Sequence, residues 1–270
     1  MKQSVYFFPF FLLACLACTD RDDREYFPPP QRTVLIYMAA DNNLYKNARL
    51  DMEEMLKAEI PENNHLLVYL DVPERTDDEC PALLEMKGGE FTVVKQYGQQ
   101  NSASGEVLRT VIQDVVAGFP AESYGLILWS HGTGWLPEGV FENLNRQKEI
   151  QSFGKDGNRE MSIMELAESI TIDFEYIIFD ACLMGGIEVF YQLRNKANIV
   201  IASPTETLVA GFPYSEIIPS LFTPVPSYAE IAQNYMHYYK NKTGNLQSAS
   251  ITVVDTEQLE ALADIFYARL

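Results

Sequence analysis

Positive charge is scarce in this sequence. Its 270 residues carry 20 Lys and Arg against 38 Asp and Glu, a formal net charge of −18. A nucleic-acid binder needs clustered Lys and Arg to neutralise phosphates, so the balance argues against that class. Histidine is scarcer still, with three residues and no His-Glu-x-x-His zinc motif among them. There is no Walker loop, and no Cys-x-x-Cys beyond residue 18. Ser130 follows Leu128-Trp129, whereas a serine nucleophile elbow requires Gly at the place of Leu128. Asp156-Gly157-Asn158 is too short to read as a calcium loop. Past residue 18, no apolar run approaches the roughly 20 residues that span a bilayer.

The start of the chain does carry an apolar stretch. Met1-Lys2 is followed by Val5 to Ala17, which suits the core of a secretory signal peptide. It ends in Leu12-Leu13-Ala14-Cys15-Leu16-Ala17-Cys18, which resembles the lipobox of a bacterial lipoprotein. Cys18, at the change from apolar to polar sequence, is the expected lipidated residue, with Cys15 as the alternative frame. An ordinary cleaved signal is the plainer reading. Residues 1–18 are thus assigned to a signal peptide. Residues 19–32, polar and carrying Pro28-Pro29-Pro30, are assigned to a tether. The expected location is exported, lipid-anchored to a bacterial outer membrane and facing the periplasm or the surface.

Residues 33–270 read as one domain, since 47% hydrophobic residues suffice for one sizeable core. Short apolar runs at Val34 to Ala39, His65 to Leu70, Gly125 to Trp129, Tyr176 to Phe179 and Ile199 to Ala202 predict strands. Leu83 to Met86 and Phe91 to Val94, flanking Gly88-Gly89, predict a hairpin. A last strand is expected at Ala249 to Val254. Helical spacing covers Asn47 to Glu59, Val107 to Val116, Met164 to Ile170, Gly186 to Leu193, Tyr228 to Tyr239 and Glu257 to Leu270. Such alternation predicts an α/β fold, a mostly parallel sheet sandwiched by helices. Leu136 to Glu160 is expected to be a long polar loop. The chain stops inside an amphipathic pattern, the expectation for a domain truncated at its C-terminus.

In parallel sheets, ligands bind beyond the carboxyl ends of the strands. Two such ends carry chemistry here. Trp129 is followed by Ser130-His131-Gly132-Thr133-Gly134-Trp135, and Phe179 by Asp180-Ala181-Cys182-Leu183-Met184-Gly185-Gly186. An imidazole titrates near neutrality and suits proton transfer. A thiol between a strand and a helix start is placed to be a nucleophile. Other readings stand beside these. His131 can bond backbone at a strand end. Cys182 can be a structural thiol or pair with Cys80. Asp180 can orient its loop or read substrate. Asp41 can touch the site or cap the next helix. His65 and His237 read as structural.

These segments resemble the clostripain family of cysteine peptidases, with a caspase-like fold. The likeness rests on Tyr37-Met38-Ala39-Ala40-Asp41-Asn42-Asn43-Leu44, on Trp129 to Trp135, on Asp180 to Gly185, and on Ala202-Ser203 through Gly211-Phe212-Pro213-Tyr214. It implies a catalytic dyad of His131 and Cys182, an oxyanion hole of the Gly132 and Cys182 N–H groups, and peptide-bond hydrolysis through an acyl-enzyme. It also implies protein or peptide substrates with Arg or Lys at P1, read by Asp180. Ala210 departs from the family pattern, which often has Asp there, and Glu206 is the candidate substitute. Some members cut themselves after the His motif. Arg146 and Lys148 are the corresponding candidates, an uncut loop being the plain alternative. No cofactor is expected for the chemistry, and calcium enters by resemblance only. The rival reading is a non-catalytic surface lipoprotein that binds peptides or glycans.

Overall fold

The computed structural model describes residues 31–73, 80–134 and 152–269. The lipidation candidates Cys15 and Cys18, and the self-cleavage candidates Arg146 and Lys148, lie outside the described residues. The elements begin with β1 (Arg32–Ala39), α1 (Tyr45–Met55), β2 (His65–Asp71), β3 (Ala82–Lys87), β4 (Glu90–Gln96) and α2 (Gly105–Gly118). They continue with β5 (Ser123–Trp129), β6 (Gly132–Gly134), β7 (Ser152–Asp156), β8 (Arg159–Ser162), α3 (Ile163–Ser169) and β9 (Phe174–Asp180). The last are α4 (Ile187–Leu193), β10 (Ala197–Ala202), α5 (Tyr214–Leu221), α6 (Tyr228–Lys240), β11 (Thr252–Asp255) and α7 (Leu259–Tyr267).

Eight strands form one sheet in the order β11-β10-β9-β5-β1-β2-β3-β4. The five central strands, β10, β9, β5, β1 and β2, are parallel. β3, β4 and β11 pair antiparallel at the two margins. The central strands are apolar on both faces because both faces are covered. On one face Leu35, Leu126, Leu128 and Ile177 pack against α2, α3 and α4. On the other Ile36, Ile127 and Ile178 pack against α1, α5 and α6. Each fully buried Leu or Ile contributes about 1.5–3 kcal/mol relative to an exposed one. The predicted turn at Gly88-Gly89 joins β3 to β4, with φ of +63° and +79° at the two glycines. Those values suit a two-residue hairpin turn, which glycine adopts without steric cost.

Several expectations are corrected. Among the described residues the first strand begins at Arg32. Arg32 is buried and its guanidinium donates to the carbonyls of Leu221 and Thr223. The segment expected as a loop to Glu160 contains β7 and the start of β8, which form a three-stranded sheet with β6. α1 ends at Met55, four residues before the predicted Glu59. The first loop is closed by Asn42 through an Asx turn to the Leu44 N–H at 2.8 Å. His65 pairs with Glu85 at 2.8 Å, in keeping with a structural role.

The chain leaves β1 in two directions. β2 lies on one side, and β5, β9 and β10 follow on the other. Such a reversal opens a crevice at the carboxyl ends of the strands. β1, β5 and β9 are consecutive neighbours there, and each is followed by a loop carrying a polar residue of the site.

Candidate active site

The register of β5 and β9 pairs Trp129 with Asp180. His131 and Cys182 each lie two residues beyond that pair, so they leave the sheet at the same level. A small cavity of about 110 Å³ at this rim is lined by Trp129, His131, Asp180, Cys182, Thr207 and Gly211, among others. Two larger surface hollows, of about 770 and 670 Å³, lie around the α1–β2 loop and α6. Neither brings a thiol to a histidine.

Glycines let the two loops meet. A Cβ on Gly132 would lie 2.6 Å from the Cys182 carbonyl oxygen and 2.9 Å from Met184 Sδ. At Gly134, with φ +58°, it would lie 2.0 Å from the Leu183 carbonyl oxygen. Both distances are far inside van der Waals contact, so only glycine admits this approach. Leu183 itself has φ +64°. A left-handed leucine costs about 1–2 kcal/mol, and it stands next to the nucleophile candidate, where such strain is often found. Gly154 N–H donates to the His131 carbonyl at 2.9 Å, which ties the loop to β7. Ser130 Oγ donates to the Ala39 carbonyl at 2.6 Å and accepts from Lys155 N–H at 3.2 Å. One hydroxyl thus joins β1, the His loop and β7.

His131 is held from the first loop. Its Nε2 lies 2.8 Å from Asn43 Oδ1, just after β1. With the amide oxygen accepting, Nε2 carries the proton and Nδ1 keeps its lone pair. Burial, and then the nearby Lys155 charge, lower the His131 pKa below 6.5. The ring is therefore neutral and basic at pH 7. Cys182 is a free thiol, so the pairing with Cys80 is absent. Its S–H points to the Thr207 carbonyl at 3.6 Å. Burial pushes the thiol up, and the charges of Glu206 and Asp180 act in the same direction. The resting pair is a neutral thiol and a neutral imidazole.

Asp180 sits beneath the cavity and is 5% exposed. Its Oδ2 accepts from Phe212 N–H at 3.2 Å and from Tyr214 O–H at 3.0 Å. It therefore orients the loop before α5 and also lines the cavity. Glu206 and Ala210 are exposed and line no part of the cavity. Asn43, Thr207 and Leu183 are site residues that sequence reasoning missed. Asn43 lay inside the quoted Tyr37-to-Leu44 segment, and its position just past a strand end was the available signal.

A model of the clostripain family (peptidase C11) matches residues 36–267. The chain belongs to the clostripain family. It is 27% identical to the clostripain of Hathewaya histolytica over 221 residues, covering 68% of this chain and 41% of that protein. Among solved structures it is similar to an inactive zymogen C11 protease from Parabacteroides distasonis. That match has TM-score 0.74 and 34% identity, over 88% of this chain and 66% of the other. It is also similar to a secreted C11 cysteine protease from Bacteroides thetaiotaomicron, solved with an irreversible peptide inhibitor. There the TM-score is 0.71 and the identity 34%, over 86% of this chain and 68% of the other. The chain thus spans less than half of the curated relative's length. The caspase-like α/β architecture expected from the family resemblance is the one observed.

Among the described residues, no group of three or more His, Cys, Asp or Glu side chains converges as a metal site. Among them, too, no helix is long and apolar enough to cross a membrane.

Asn43→Ala removes the acceptor on Nε2 and frees the ring to rotate. The expected result is a fall in kcat of about 10–100-fold with KM little changed, the behaviour of a lost orienting contact. Steady-state kinetics on a peptide substrate check this. Asn43→Gln, which restores an amide oxygen on a longer arm, should recover part of the loss.

Proposed function

We propose that this member of the clostripain family is a cysteine endopeptidase that uses Cys182 as nucleophile and His131 as general base and acid. The observation that carries the reading is the shared rim: thiol and imidazole leave adjacent parallel strands at one level and line one cavity. As the thiol attacks the scissile carbonyl, His131 Nδ1 takes its proton. The Gly132 and Cys182 N–H groups would hold the oxyanion. The imidazolium then protonates the leaving amine, which leaves an acyl-enzyme on Cys182. A water activated by His131 releases the acid. No step passes through a metal.

Asp180 at the cavity supports Arg or Lys at P1, since a cation would neutralise a buried acid. An exported, lipid-anchored location fits the apolar N-terminus and the secreted Bacteroides relative.

The resting protonation states give a test. A preformed thiolate–imidazolium pair would put the acid limb of activity at the thiol. Here His131 sets it, and its pKa is lowered. With a substrate of neutral P1, kcat/KM should hold as pH falls to 6.5 and decline only below it. Alkylation of the resting enzyme by iodoacetamide should be slow at pH 7 and rise toward pH 9. Rapid alkylation at pH 6 would contradict the neutral pair. Absence of any peptide hydrolysis by the folded full-length protein would favour a binding role.

A further inference from the structure

The rim cavity, read above as the place of a basic P1 side chain, has a second acid behind it. Asp51 lies on α1 and is 5% exposed. Its Oδ2 accepts from Trp129 Nε1 at 2.8 Å. Trp129 lines the cavity and is the register partner of Asp180. Trp129 therefore bonds one acid by its indole N–H and lies beside the other on the neighbouring strand, both Trp129 and Asp180 lining the cavity. The groups that face the two acids are Glu54 on α1, Tyr214 on α5, Tyr235 and Tyr239 on α6, and Cys182, all neutral or acidic.

Two buried carboxylates that repel each other are costly to the fold. A structural acceptor for the Trp129 N–H needs no charge, because an amide oxygen serves as well. The cost is recovered when a cation enters. We propose that Asp51 is a specificity-determining residue that acts together with Asp180 to select a cationic P1 side chain. The inference rests on the basic-P1 reading above and adds a second acid to it.

The charge states agree. Burial, and then the Asp180 charge, push Asp51 up to about 8. Burial pushes Asp180 up to about 6, against the Phe212 and Tyr214 hydrogen bonds. At pH 7 the empty site holds a proton, mainly on Asp51. A guanidinium or ammonium entering the cavity lowers both pKa values and expels it. Binding of a basic P1 group should release a proton, and binding of a neutral isostere should not.

The test uses two reversible peptide aldehydes that differ only in P1, arginine against citrulline. Titration calorimetry at pH 7 in buffers of different ionisation enthalpy counts the protons. Hemithioacetal formation at Cys182 is common to both and cancels. Greater proton release with the arginine aldehyde supports the proposal, and equal release overturns it. Asp51→Asn keeps an acceptor for Trp129 and should abolish the difference. In matched substrates it should also lower the Arg-to-citrulline ratio of kcat/KM by about tenfold, the effect of losing one charge pair in a desolvated site. If the wild type does not prefer arginine to citrulline, the basic-P1 reading itself fails. If it does prefer arginine and Asp51→Asn leaves that preference and the proton count unchanged, only the role of Asp51 fails. Should Asp51→Asn not fold, Asp51→Ser, which keeps an oxygen acceptor beside Trp129 without the charge, takes its place in both measurements.

Discussion

Cys182→Ala is expected to reduce peptide hydrolysis by at least about 10⁴-fold, to the level of the oxyanion donors and binding alone. His131→Ala should cost nearly as much, and the double variant no more than the worse single one. That pattern follows from the way the groups act. The thiol is neutral at rest, so it attacks only as its proton leaves for His131. Removing the base strands the proton, and removing the thiol leaves the base nothing to activate. Groups that act as one unit lose their joint effect once. Both side chains are half-buried at a rim outside the two apolar layers, so unfolding midpoints should move little. Full kinetics on the single and double variants check this. Additive losses would mean that the two residues act in separate steps.

Gly134→Ala should remove most activity without touching either catalytic side chain. Its Cβ would meet the Leu183 carbonyl oxygen at 2.0 Å, and that atom is backbone held by a strained residue. Either β6 or the Cys182 loop must move, and a shift of about 1 Å at a reacting group costs roughly 100-fold. Gly157→Ala is the matched control. Gly157 also has a left-handed φ, +56°, but a Cβ there meets nothing within 4 Å. Both variants carry the backbone penalty of about 1–2 kcal/mol. Only Gly134→Ala carries the clash. Thermal unfolding should therefore show a loss in both, and kcat/KM should fall in Gly134→Ala alone.

The central strands were legible because their burial on both faces writes them as unbroken apolar runs. Val34 to Ala39 and Tyr176 to Phe179 are of this kind. β6, β7 and β8 were not, because they are short, rich in Gly and Ser, and paired outside the main core. α5 was missed because Pro213 stands at its start and Pro219 lies inside it. Proline reads as a helix breaker, and here tertiary packing of Tyr214, Ile217 and Ile218 overrides it. The thiol and imidazole were legible because each follows a strand directly. Their partners were not. Asn43 meets His131 across 88 residues, and Trp129 meets Asp51 across 78. Such contacts depend on strand order, which periodicity does not encode. Asp180 follows a strand directly and stood out as a candidate acid, while nothing in the helical pattern of α1 singles out Asp51.

The most direct measurement is mass spectrometry of the full-length protein after treatment with a peptidyl acyloxymethyl ketone carrying P1 arginine. The account predicts one adduct, on the tryptic peptide that contains Cys182, formed in the native protein and lost in His131→Ala. An adduct on Cys80, an adduct on Cys182 that persists without His131, or no adduct in protein shown to be folded would contradict it.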